Sequence, residues 1–250
     1  MRRVIVSMLV VAMLPMAARA DWEPGMDYKM HYPQLPDRET GLDVLAVVEK
    51  KLADDWRCTG TGYVTDIHIW GSWLEDVAGQ PAFLLEIWED VPAGTTAEMP
   101  WSHPGQPVWG MDFDPGMYVA REVGTANECF FDPNQNEIIG FDSVVWQYNF
   151  TIDAAEAFYQ EEGKIYWLSV TTWPLTTEQR FGWKTSLDHW NDAAVFSDMF
   201  SAPDFWRMLE DPRSGDPLDL AFVITPEPAT MALLALGLAG VLLRHRHRRS

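Results

Sequence analysis

Cysteine, basic charge and helical periodicity are scarce in this sequence, and each scarcity excludes something. Only two cysteines occur, Cys58 and Cys129. That rules out a disulfide-dense mini-scaffold and a zinc framework of paired cysteines. In an exported chain an isolated pair is most simply one disulfide closing a long loop; two buried free thiols are the alternative. Lys and Arg number 18 against 37 Asp and Glu. Seven of those bases sit near the ends: Arg2, Arg3 and Arg19, then Arg244, Arg246, Arg248 and Arg249. Between residues 21 and 225, 11 basic residues face 36 acidic ones, a net charge of −25. Such a surface repels nucleic acid and anionic lipid, which excludes nucleic-acid binding. No apolar pattern of period 3.6 runs long enough before residue 226 for a substantial amphipathic helix. A P-loop, a Gly-rich dinucleotide fingerprint, a Gly-x-Ser-x-Gly elbow and a His-Glu-x-x-His zinc motif are all missing.

The two ends are what is plainly there. Arg2 and Arg3 precede an apolar run from Val4 to Leu14, which closes on Ala18-Arg19-Ala20. That order reads as a secretory signal peptide over residues 1–20, cut before Asp21. Residues 21–41 are rich in Pro, Gly and charge and read as an extended lead-in. The body, 42–225, shows many short stretches of period 2 separated by turn residues. Tyr63, Thr65, Ile67 and Ile69 share one face of a strand from Tyr63 to Trp70. Further strands are expected over Leu52–Cys58, Ala82–Trp88, Val108–Phe113, Met117–Val123, Glu128–Phe131, Val144–Phe150, Lys164–Thr172, Phe181–Thr185, Ala193–Phe196 and Leu218–Ile224. Asp153–Tyr159 and Phe205–Glu210 read as short helical turns. All 13 tryptophans lie in the segment 21–225. Aromatic richness with frequent turns predicts an all-β fold, a single antiparallel β-sandwich of jelly-roll type, with a closed barrel as the alternative.

The C-terminal segment 226–250 has three parts. Pro226-Glu227-Pro228 cannot continue a helix or a sheet. Ala229 to Leu243 is apolar and reads as a transmembrane helix, yet as a helix it rises only about 22 Å against a hydrocarbon core of about 30 Å. Four arginines behind it hold its end in the cytoplasm and leave the acidic body outside. The Pro-Glu-Pro triplet, the apolar helix and the Arg-rich terminus together resemble the PEP-CTERM sorting signal of exported bacterial proteins. The resemblance implies processing by a membrane enzyme of the exosortase type near Pro226, Glu227 and Pro228. It also implies delivery to the cell surface or matrix, beside exopolysaccharide. More loosely, Ala53-Asp-Asp-Trp-Arg-Cys58, Asp66-Ile-His-Ile-Trp-Gly-Ser-Trp73 and Gly182-Trp-Lys-Thr-Ser186 with His189-Trp-Asn191 resemble uncharacterised secreted domains that carry such tails.

No catalytic set stands out. Paired acids such as Asp54/Asp55, Glu75/Asp76, Glu89/Asp90, Asp112/Asp114 and Glu161/Glu162 arise freely in so acidic a chain, and directly adjacent residues on a strand point to opposite faces. A glycoside hydrolase, the enzymatic alternative, would need two carboxyls facing across a cleft. Asp188, Asn191 and Asp192 offer oxygen ligands for calcium but lack a calcium-loop spacing. His68, His103 and His189 lack zinc-motif spacing. Trp70, Trp101, Trp173 and Trp190 are the candidates for stacking on sugar rings. Asn149-Phe-Thr151 matches the glycosylation pattern inside an expected strand. The expectation is a non-enzymatic surface or matrix protein without a required cofactor, in contact with polysaccharide.

Overall fold

A computed structural model describes residues 21–225. The signal peptide, Pro226, Glu227 and Pro228, and the apolar tail lie outside the described residues. Among the described residues no helix is long and apolar enough to cross a membrane. The described residues form fifteen strands. The first five are β1 Leu42–Leu45, β2 Lys50–Arg57, β3 Gly62–Val64, β4 Asp66–Trp73 and β5 Ala82–Val91. Next come β6 His103–Phe113, β7 Tyr118–Asp132, β8 Glu137–Thr151, β9 Phe158–Gln160 and β10 Ile165–Trp173. The last are β11 Phe181–Ser186, β12 Val195–Asp198, β13 Ala202–Met208, β14 Asp219–Leu220 and β15 Phe222–Thr225.

The fold is all-β, as the alternation predicts, but it is not a sandwich. Strands β11-β1-β7-β8-β4 hydrogen-bond in that order and β4 pairs back onto β11, closing a five-stranded barrel. Nor is it wholly antiparallel: β1 runs parallel to β7, with Leu42 opposite Cys129 and Val44 opposite Phe131. Closure is made by glycine. A Cβ on Gly71 would lie 2.4 Å from the Gly182 carbonyl oxygen, and one on Gly182 would lie 2.9 Å from the Asp43 Cβ. Gly71 lets β4 approach β11, and Gly182 lets β11 lie close to β1 and to the Phe130 ring. Strand alternation reports which residues face inward. It does not say whether the inward face meets a second sheet or the same sheet curled round, which is why sandwich and barrel read alike.

The second sheet, β13-β12-β2-β10-β5-β6, is antiparallel and curls into a half-barrel. Trp88 on β5 and Trp206 on β13 stand four places apart in that order, yet their rings are 5.8 Å apart. The curl's concave face is filled by Trp167, Trp206, Ala53 and Val195, with Met99 and Trp101 of the β5–β6 loop packed against them. The main core is a separate aromatic cluster. Phe83 of β5 is its hub, with ring centroids 5.0 to 5.2 Å from Tyr118, Tyr148, Phe150 and Phe181 of the barrel strands. Edge-on geometry of this kind adds to the area buried.

Several boundaries move. The expected strand from Tyr63 to Trp70 divides between β3, which pairs with β9, and β4. The two strands expected over Met117–Val123 and Glu128–Phe131 are one, β7, carrying bulges between Glu122 and Gly124 and between Thr125 and Glu128. Phe205–Glu210 is not a helical turn but overlaps β13. The lead-in 21–41 is extended but clasped to the body. Lys29 N donates to Ile224 O at 2.8 Å and Asp37 N to Thr185 O at 2.9 Å, while Trp22 and Met30 are buried in the main core.

Candidate functional site

Each of the five barrel strands contributes a polar side chain to one buried cluster: Asp43 from β1, Ser72 from β4, Glu128 from β7, Asp142 from β8 and Lys184 from β11. All five are buried. Register brings them together, because Asp43 stands opposite Lys184 and Glu128 opposite Asp142. Lys184 Nζ donates to Asp43 Oδ2 at 2.9 Å and also contacts Glu128 Oε2. One ligand oxygen from each of Asp43, Glu128 and Asp142 lies within 4.8 Å of the other two. Burial, followed by the facing Asp43 carboxylate, pushes the Asp142 carboxyl up to about 9, with the Ser72 hydroxyl offsetting part of the rise. Burial also lowers Lys184, against the pull of Asp43.

A second acidic focus lies where the lead-in, β2 and β14 meet. Asp54 accepts hydrogen bonds from Gln34 Nε2 at 2.8 Å and from the Leu220 amide at 2.6 Å. Asp55, on the other face of β2, accepts from Asn191 Nδ2 at 2.7 Å. Asp219 accepts from the Trp190 amide at 2.7 Å and has His189 Nδ1 at the same distance. Burial raises all three acids, Asp219 to about 6. Each is nevertheless held by at least one N–H donor. Asp142 in the barrel accepts none.

The residues singled out by sequence are dispersed. Cys58 and Cys129 are free thiols, not a disulfide. Cys58 sits just past β2, its Sγ donating to Gly60 O at 3.3 Å, while Cys129 is on β7 of the other sheet. Asp188, Asn191 and Asp192 do not converge on a cation. Asp188 accepts from the Leu35 amide, and Asn191 turns its NH₂ toward Asp55 and Asp192. His68 bonds Asn149, His103 the Trp101 carbonyl and His189 meets Asp219, so the three histidines share no site. Trp70 is buried against Trp22, Trp190 stacks on His31 with ring centroids 4.2 Å apart, and Trp101 donates to the Trp206 carbonyl. Of the four, Trp173 alone is exposed. Asn149 is buried and its Nδ2 donates to Asp21, so it presents no glycan acceptor. Among the acid pairs, Asp76 binds the Ser143 and Val144 amides and Glu161 pairs with Lys164.

The barrel set was missed in the sequence, although a signal existed. Asp43 and Lys184 are single charges inside apolar runs, Leu42-Asp-Val-Leu45 and Phe181-Gly-Trp-Lys184, where a strand buried on both faces leaves them no water. On the outside, Tyr63 and Tyr159 form an exposed cross-strand pair on the β3–β9 ribbon, ring centroids 5.1 Å apart. Beside it a groove of about 500 Å³ is lined by Tyr159, Tyr166, Val108, Glu89, Glu161 and Lys164 among others.

The model of a domain of unknown function, DUF7901, matches residues 30–225, and the PEP-CTERM protein-sorting motif matches residues 225–249. No curated protein and no solved structure matches the chain. The motif makes this an exported protein, sorted to the cell surface and processed by an exosortase. From Met30 within the lead-in to the end of β15 at Thr225, the chain belongs to the DUF7901 family.

Proposed function

We propose that the body is a non-enzymatic surface or matrix module that contacts extracellular polysaccharide through the Tyr63–Tyr159 face and its adjoining groove. The observation that carries this reading is the junction at Thr225, where β15 ends and the sorting motif begins with no spacer between them. A folded acidic body delivered in that way meets the material outside the cell. The groove supplies what sugar recognition needs, namely exposed aromatic faces for stacking and flanking Glu89, Glu161 and Lys164 for hydroxyl hydrogen bonds. The glycoside hydrolase alternative draws less support, since the tightest convergence of carboxyls lies in the closed barrel, away from any substrate.

The test is co-sedimentation of the exported protein with the host's exopolysaccharide, comparing the natural chain with a Tyr63→Ser, Tyr159→Ser double variant. Binding by the natural chain and a loss of about tenfold or more in the variant, about 1.4 kcal/mol, is the expected result. Equal binding by both, or none by either, would sink the reading.

A further inference from the structure

We infer that the barrel interior is a calcium site, formed by Asp43, Glu128 and Asp142 with Ser72 as a neutral ligand and Lys184 as a fixed counter-charge. Lys184 engages only one oxygen of Asp43 and one of Glu128. The opposite oxygens, Asp43 Oδ1 and Glu128 Oε1, have no hydrogen-bond partner, and neither has either oxygen of Asp142. The Ser72 hydroxyl from β4 is fully buried beside Asp142 and makes no hydrogen bond of good geometry there. Five buried oxygens from four strands therefore stand without a donor. Buried polar atoms are almost always satisfied, and a group of orphans in one place marks an ion or water held there.

Charge, geometry and ligand type agree on the occupant. Three carboxylates and one ammonium leave two negative charges, which one divalent cation neutralises. Oxygens around a single calcium at 2.3 to 2.6 Å lie no more than about 5 Å apart, and the three carboxylates meet that limit at 4.8 Å. The donors are oxygen only, with no His or Cys, so a hard cation is favoured over zinc or copper. Magnesium keeps several waters and loses them reluctantly, whereas calcium accepts a crowded, irregular set of protein oxygens in a dry interior. The competing occupant is a proton shared by Asp43 and Asp142, which, with the Ser72 hydroxyl turned toward Asp142, would still leave Glu128 Oε1 without a partner. The second acidic focus is better satisfied: Asp55 Oδ1 and Gln34 Oε1 lack partners there, but every aspartate accepts at least one amide N–H.

A closed interior takes up its ion as the barrel closes, so metal binding and folding are coupled. The experiment accordingly unfolds the full-length chain in detergent with chelator, then refolds it with calcium, with magnesium or with neither. Elemental mass spectrometry counts bound metal and thermal unfolding reads stability. One calcium per chain and a melting temperature raised by calcium above the magnesium and metal-free samples are expected. Asp142→Asn, which keeps the shape of a protonated Asp142, should fold, hold less than about a tenth of the calcium and show no calcium-dependent melting shift. Asp188→Asn, in the β11–β12 loop, should behave as the natural chain does. A natural chain that refolds without calcium and melts identically with and without it would overturn the proposal. So would an Asp142→Asn chain with full calcium content. If Asp142→Asn does not fold, the metal count and melting shift of the natural chain decide alone.

Discussion

Lys184 is the residue whose removal should cost most for its size. Its ammonium is fully buried and is the cation paired with both Asp43 and Glu128. Breaking a buried ionic group by deleting one partner leaves uncompensated charge, which costs about 3–5 kcal/mol. Lys184→Met keeps the length of the side chain and should lower unfolding stability by that amount in urea titrations. His68 makes a subtler prediction. Burial holds its pKa down at about 4, against the hydrogen bond to Asn149. The unfolded imidazole therefore takes up its proton near 6.5, well before the folded one does. His68 contributes fully above pH 6.5, and that contribution is lost as pH falls from 6.5 to 4, where the folded side chain protonates as well. Across that window the natural chain should lose ground to His68→Gln by up to about 1.4 kcal/mol per pH unit, followed by denaturant titration at each pH. Comparing the two proteins cancels the opposite trend of raised acids such as Asp219.

At the level of elements, the seam between β4 and β11 is the most exacting feature. An alanine at position 71 would drive its methyl against the Gly182 carbonyl and the Phe181 ring, each 2.4 Å away. Backbone cannot yield as a flexible side chain can, so Gly71→Ala should cost at least the 1–3 kcal/mol typical of overpacking, about the upper end of that range. Loss of far-ultraviolet strand signal at lower denaturant would record it. The same seam explains what the sequence made legible and what it hid. A strand such as Ala82–Trp88 is visible because its alternation is local and sharp, and Phe181–Thr185 because it is a short run bounded by turn residues. The division of Tyr63–Trp70 is not, since β3 leaves β4 only to meet β9, a partner about ninety residues away in the chain. Phe205–Glu210 looks helical because β13 buries only Trp206 and so carries no period-2 pattern, although its hairpin partner β12 lies just upstream. Barrel closure is likewise written in two glycines that, read alone, look like turn residues.

For the whole molecule, the sorting signal was legible because its three parts are consecutive and each has its own chemistry. The barrel site was not, because its five residues lie on five strands spread from 43 to 184 and meet only through register. The tryptophans misdirect for the opposite reason: their type suggests a binding surface, while most of them are consumed by two cores. One contact ties the two ends of the body together. Lys29 and Gln34 hydrogen-bond to Ile224 and Phe222, so the first residues of the body lie along its last strand. A chain threaded outward from its N-terminus presents those early residues long before their partner arrives. The clasp can shut only when β15 has emerged, and the next residues to appear are Pro226, Glu227 and Pro228. Completion of the fold therefore waits for the end of the body and comes only as the sorting motif itself emerges.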